Sequence, residues 1–225
     1  HLEHPWAIRL AIQAREHPAC RSAVIVYGSH NIEQDYYQGV WTSAGQWNAK
    51  ARRLTTWIRE AEAEAAQLSD LCWAVSVADA DALTALGARE VLVAPNACRT
   101  LPSSTDASGV PPYPYAFYAG GGSAANVEGL ITWLGTPDSF IPHGTAILIA
   151  GSVGKKIQRH PAFRSAFESG QLMSLGDIDG HQLDRLLLNA RCVLLPISRS
   201  GGTNLKTAEA LSSQRAVVAT PLSLR

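Results

Sequence analysis

Short apolar runs and amphipathic stretches alternate along this chain. Across residues 48–68, Ala51, Leu54, Ile58, Ala61, Ala65 and Leu68 recur three and four apart, a spacing that gathers them on one helix face. Pro5 suits a helix start, and Trp6, Ile8, Leu10 and Ile12 carry that helix to about His17. Residues 23–27 (AVIVY) read as a short buried strand that ends in a Gly28-Ser29-His30-Asn31 turn. A strand over 71–76, a helix over 77–86 and a strand over 91–94, stopped by Pro95-Asn96, follow. Strands separated by helix-length connections imply parallel pairing.

The pattern then breaks. Residues 99–114, RTLPSSTDASGVPPYP, hold four prolines and no apolar periodicity, the chemistry of a linker. Beyond it the alternation resumes: strand 116–119, a glycine loop, helix 125–134, strand 146–150, helix 162–168, strand 172–175 and helix 179–189. The expected architecture is α/β, with two Rossmann-like lobes of parallel sheet over 1–98 and 115–225 joined by the 99–114 linker.

The last stretch, 192–221, carries the most chemistry. Val193-Leu194-Leu195 is cut off by Pro196 and a polar loop with Gly201-Gly202-Thr203-Asn204; a helix from Leu205 to Ser213 and a second apolar run, 216–219, complete a βαβ unit. In open α/β sheets, ligands bind at the carboxyl ends of strands. Paired glycines at a helix N-terminus expose N–H groups, and the partial positive charge there suits phosphate. Lys206 and Glu209, three apart, share the first turns of that helix and can meet one ligand. A cation for phosphates and a carboxylate for hydroxyls suggest a nucleotide-like ligand.

Composition narrows the rest. The 225 residues carry 19 basic and 19 acidic side chains with no charged block, which gives no support to nucleic-acid binding. Cys20, Cys72, Cys98 and Cys192 form no CxxC pair and mostly flank apolar runs, so buried thiols in a reducing, cytoplasmic setting are expected. No apolar run approaches a membrane span, and no signal peptide is visible. The chain starts at His1 and stops at Arg225 directly after a strand, and the expectation is a fragment of a longer protein.

Other motifs are weaker. Gly120-Gly121-Gly122-Ser123 mimics a dinucleotide fingerprint through Ala125, with Asp138 near the ribose offset, but the segment before Asp138 is not a strand. Gly151–Lys156 fails as a phosphate loop because Ile149 stands where a glycine is needed; it reads as a basic loop after a strand. Asp79-Ala80-Asp81 and Asp177-Ile178-Asp179 are DxD pairs, yet Asp79 and Asp81 fall in the first turns of a helix and Asp179 suits a helix N-cap. His30, just after a strand and near Glu33, stands where a proton handler would face a ligand. No metal-ligand spacing of histidines and no G-x-S-x-G elbow are present.

Four stretches together resemble the GT-B glycosyltransferases, specifically the retaining, nucleotide-sugar-dependent family 4. YGSHNIE (27–33) is similar to the HN-[IV]-E turn of the acceptor-side lobe, and 68–97 is similar to the passage that ends in VvPNg before the interlobe linker. YAGGGSAANVEGLITWL (118–134) resembles the opening of the donor lobe, and LGDID (175–179) with 192–220 resembles the nucleotide-sugar site. The resemblance implies sugar transfer from a nucleoside diphosphate to an unidentified acceptor (a glycan, lipid or small molecule), without metal or other cofactor. It is compatible with peripheral membrane contact.

It also implies roles. Glu209 matches the second Glu of the E-x7-E motif, which bonds the ribose, and Lys206 with the N–H groups of Gly202, Thr203 and Asn204 matches the diphosphate loop. Gly121 and Gly122 would bring backbone close to the sugar-phosphate, Gly176 and Asp177 would lie against the base, and His30 would touch the transferred sugar. Two departures stand out: Gly201 replaces the first Glu of E-x7-E, and Ser123-Ala124-Ala125-Asn126 replaces the usual Arg/Lys pair. They keep open a degenerate module that binds nucleotide sugar without turnover. The 120–125 glycines alone support a third reading, an NAD-dependent Rossmann enzyme.

Overall fold

The computed structural model describes residues 1–103, 106, 108–136, 144–198 and 205–224. The chain divides into two compact units, His1–Asn96 and the described residues from Ala97 onward.

In the first unit a 3-10 turn, Pro5–Ala7, leads into α1 (Ile8–Glu16), followed by β1 (Val26–Ser29), α2 (Glu33–Ser43), α3 (Ala49–Leu68), β2 (Leu71–Ala74), α4 (Val77–Ala85) and β3 (Val91–Val93). The strands pair in parallel in the order β1-β2-β3, and Leu2 bridges Tyr27 in parallel on the other side of β1. Asn48 caps α3 by accepting the N–H of Ala51 at 3.0 Å, and Ser76 caps α4 through the N–H of Asp79 at 3.1 Å. Ile8, Tyr27, Ala65, Cys72, Ala74 and Leu83 form the core. Trp6 and Trp57 stack on the surface, centroids 5.2 Å apart and planes 6° apart.

Two parts of this unit differ from the sequence reading. The strand expected over 23–27 begins at Val26 and runs through Gly28 and Ser29. The N–H of Ile25 donates to the Asp70 carboxylate at 2.8 Å, which diverts it from the ladder, while Gly28 is held by its N–H bond to Leu2 at 2.8 Å. Helix α2 has no clear apolar period, and its start is fixed from outside. Glu62, fully buried on α3, accepts the N–H of Glu33 at 2.9 Å and that of Gln34 at 3.4 Å. These are two of the N–H groups that a helix start leaves without an internal partner.

The second unit holds β4 (Tyr115–Ala119), α5 (Ala124–Leu134), β5 (Ala146–Ala150), α6 (Ser152–Gln158), α7 (Arg164–Glu168), β6 (Leu172–Gly176), α8 (Gly180–Asn189), β7 (Cys192–Leu195), α9 (Leu205–Ser212) and β8 (Ala216–Ala219). All pairings are parallel, in the order β6-β5-β4-β7-β8. The chain winds outward from β4 to β6 and then returns to β7 on the other side of β4. The strand order reverses there, so the switch point lies between β4 and β7. Alternating side chains feed two cores: Tyr115, Phe117, Val193 and Leu195 pack on α8 and α9, and Tyr118, Ile147, Ile149 and Leu194 pack on α5 and α6.

The basic loop expected at Gly151–Lys156 is corrected to a glycine followed by α6. Val153 and Ile157 bury one face of this short helix and leave its lysines outside. The cysteine expectation is corrected as well: all four thiols are free, yet only Cys72 is buried and Cys20 is exposed.

Candidate functional site

The site is built at the carboxyl rim of the second sheet, and glycines shape it. Gly151, at φ +88°, donates its N–H to the Gly176 carbonyl at 2.6 Å, and a Cβ on it would run into the Gly120 carbonyl. Gly176, at φ +66°, reaches this position because β6 slips register by a bulge opposite Ala150. Gly122 donates its N–H to Ser152 Oγ at 2.7 Å, and its carbonyl accepts from Lys156 Nζ at 2.5 Å. Gly121 is exposed, with open space where a side chain would be.

Lys206 crosses this rim. It starts on α9, on one face of the sheet, and its Nζ donates to Asn126 Oδ1 at 2.7 Å, at the start of α5 on the other face. The ammonium lies 5.6 Å from the centre of the Tyr118 ring, in cation–π range, and a Cβ on Gly120 would stand 3.2 Å from it. No carboxylate pairs with it among the described contacts, and burial lowers its pKa to about 8. Asn126 is itself oriented by its Nδ2, which donates to the Gly121 carbonyl at 2.8 Å. The amide thus joins the glycine turn to the cation. Burial also raises the Tyr118 phenol to about 12, so the ring beneath Lys206 stays neutral.

Glu209 lies one turn beyond Lys206 on α9, and both line one cavity of about 30 Å³ with Ala119, Leu195 and Ala210. Its Oε1 accepts from Arg99 Nε at 3.0 Å, and Arg99 Nη2 also contacts Asp184 Oδ1 on α8. Asp177 is exposed, in a loose pair with Lys155 at 3.7 Å. Asp179 caps α8 by accepting the N–H of Gln182 at 2.8 Å. Gly201, Gly202, Thr203 and Asn204 lie outside the described residues.

His30 belongs to the first unit, in the exposed turn after β1. Its Nε2 contacts the Glu3 carboxylate, and its ring lies 6.3 Å from that of His4. Glu33 is buried beside it, and His4 Nδ1 reaches Glu33 Oε1 at 3.3 Å. No group of three or more His, Cys, Asp or Glu among the described residues could hold a metal ion. No helix among them is long and apolar enough to cross a membrane.

Within the second unit, the structure gathers Gly120, Lys206 and Glu209 at the switch point, with Gly122 and Gly176 in the neighbouring turns. It adds Asn126, Tyr118 and Arg99. Asn126 was visible only as an uncharged residue where a cation was expected, and Arg99 sits inside the stretch read as a linker. Nothing in the local pattern of either residue marks it.

This chain, a parallel α/β unit with a glycine-shaped rim at its switch point preceded by a smaller parallel unit, shares its fold with solved structures of the GT-B type. The sucrose-phosphate synthase of Thermosynechococcus elongatus superposes with a TM-score of 0.70 at 14% identity, over 97% of this chain and 55% of that one. HepE of Anabaena in complex with UDP gives 0.62 at 16%, over 96% and 57% of the two chains. WaaG, a glycosyltransferase involved in lipopolysaccharide biosynthesis, gives 0.62 at 15%, over 94% and 62%. The chain therefore spans little more than half the length of these structures. No protein-family model and no curated protein matches it.

Proposed function

We propose that this chain is part of a glycosyltransferase that moves a sugar from a nucleoside diphosphate to an acceptor, with retention at the transferred carbon. The observation that carries the reading is Lys206: a partly desolvated cation held by Asn126 at the rim between β4 and β7, beside the Gly120–Gly122 turn. Such a cation suits an anion that gains charge during reaction, as a diphosphate leaving group does. In a site of low polarity a fixed cation and a helix N-terminus stabilise that charge without reorganising. HepE, one of the similar structures, is solved with UDP and with UDP-glucose.

In this reading Lys206 and the N–H groups of Gly202, Thr203 and Asn204 hold the diphosphate, and Glu209 accepts from the ribose hydroxyls. Gly121 and Gly122 admit the sugar-phosphate, and Gly176 and Asp177 face the base. His30 serves the transferred sugar, and departure of the diphosphate is assisted without a metal ion.

Calorimetry with UDP, GDP and NAD tests the reading. Binding of a nucleoside diphosphate is expected, and Lys206→Ala is expected to weaken it by ~1.5–3 kcal/mol, the range for a charge-assisted contact. Tight NAD binding without response to either diphosphate would overturn it. Sugar transfer lost in Glu209→Ala would separate an enzyme from a module that only binds.

A further inference from the structure

We propose that Arg99 is a positioning residue that presets Glu209 to read the ribose, and so sets a preference for nucleotides that carry ribose hydroxyls. The inference rests on the donor-site reading above. Asp184 is 9% exposed, and a carboxylate so deeply placed needs a cation. Arg99 meets it through Nη2. That ion pair seats the guanidinium against α8, and the hydrogen bond it makes is to Glu209, whose Oε1 accepts from Nε at 3.0 Å. The side chain of the preceding residue meets the same helix, with Cys98 Sγ 2.9 Å from Ser212 Oγ at the end of α9.

The consequence lies in which oxygen is taken. Arg99 occupies Oε1 of Glu209 and nothing described occupies Oε2. An ionised carboxylate only accepts, and each oxygen has two lone pairs. A ribose hydroxyl therefore meets an acceptor already held in one rotamer, on the cavity that Lys206 also lines. Without Arg99, the Glu209 side chain must give up its rotamer freedom when the ligand arrives. That cost falls on ligands that bond Glu209 and on no others.

The test is calorimetry on the full chain with UDP and GDP and with their 2′,3′-dideoxy counterparts. Arg99→Gln is expected to weaken the ribonucleotide that binds by about 5- to 10-fold, the size of one lost hydrogen bond, and to leave the dideoxy form unchanged. Arg99→Lys, which keeps the charge beside Asp184 but loses the fork, is expected to fall between. Arg99→Gln leaves the Asp184 carboxylate without its cation, so a chain that also carries Asp184→Asn serves as the folded control and is expected to show the same narrowed ratio. A ribose-to-dideoxy ratio unchanged in that double variant, or absent in the unaltered chain, would overturn the assignment while the donor site stands. Failure of the unaltered chain to bind either diphosphate would instead overturn the donor-site reading.

Discussion

The first unit shapes the turn after β1 with a buried carboxylate, and the second shapes its strand-end turns with glycine backbone, helped by the side chains of Asn126, Ser152 and Lys156. In the first, Glu62 reaches from α3 to take two N–H groups of α2, and Tyr27 donates to the same carboxylate at 3.4 Å. In the second, the Gly151 N–H meets the Gly176 carbonyl directly, and the Gly120 carbonyl fills the space a Cβ would need. The side-chain solution puts a titratable group inside the unit. The glycine turns bury no carboxylate, and the charge they take up is the exposed Lys156 ammonium on the Gly122 carbonyl. Lys206 stands at the second rim with Asn126 as its hydrogen-bond partner and with no carboxylate paired to it among the described contacts.

That contrast can be broken at the glycines first. Gly151→Ala places a Cβ against the Gly120 carbonyl at a φ that side chains rarely adopt, so a loss of about 3 kcal/mol is expected in the second unit. Hydrogen exchange followed residue by residue should show protection falling there and holding in the first unit. Equal loss in both units would end the comparison.

The next effect is electrostatic. Burial raises Glu62 to about 7 from an ordinary 4.5, so the folded first unit holds a proton that the unfolded chain releases. Its contribution is full below about 4.5 and is lost as pH rises through about 7, a decline on the order of 3 kcal/mol for this one group. Urea unfolding between pH 5 and 8 measures it. Glu62→Gln, which does not titrate, should flatten the slope, and a slope that persists would place the proton elsewhere.

Ligand binding at the second rim is also expected to depend on pH. With a pKa of about 8, Lys206 loses its proton between pH 7 and 9, and affinity for a nucleoside diphosphate should fall by up to about tenfold across that interval. Lys206→Arg keeps its charge throughout and should bind independently of pH.

What the sequence disclosed follows from where the information lay. Helix α3 declared itself because six apolar positions share one face, and Asn48 marked its start as a cap. Strand β5 was placed to the residue because both its faces are buried and its run is unbroken. Helix α2 was hidden because a carboxylate twenty-nine positions away fixes its beginning. Helix α6 was hidden by its composition: glycine and two lysines look like a loop until Val153 and Ile157 are seen to be buried. In the candidate site, Lys206 and Glu209 could be picked out by spacing within one helix. The partners that define their chemistry, Asn126 and Arg99, lie 80 and 110 positions away and carry no local mark.

The tryptophans divide as unevenly as the turns. Trp6, Trp41, Trp47, Trp57 and Trp73 fall in the first unit, and Trp133 alone in the second. Indole emission from this protein is therefore mostly a report on one half, with the Trp6–Trp57 stack contributing a coupled pair. Trp133 sits on α5, seven residues past the amide that holds Lys206. Subtracting the spectrum of a Trp133→Phe chain would leave one chromophore on the helix that the proposed diphosphate site touches, so the protein carries an optical separation of its two halves.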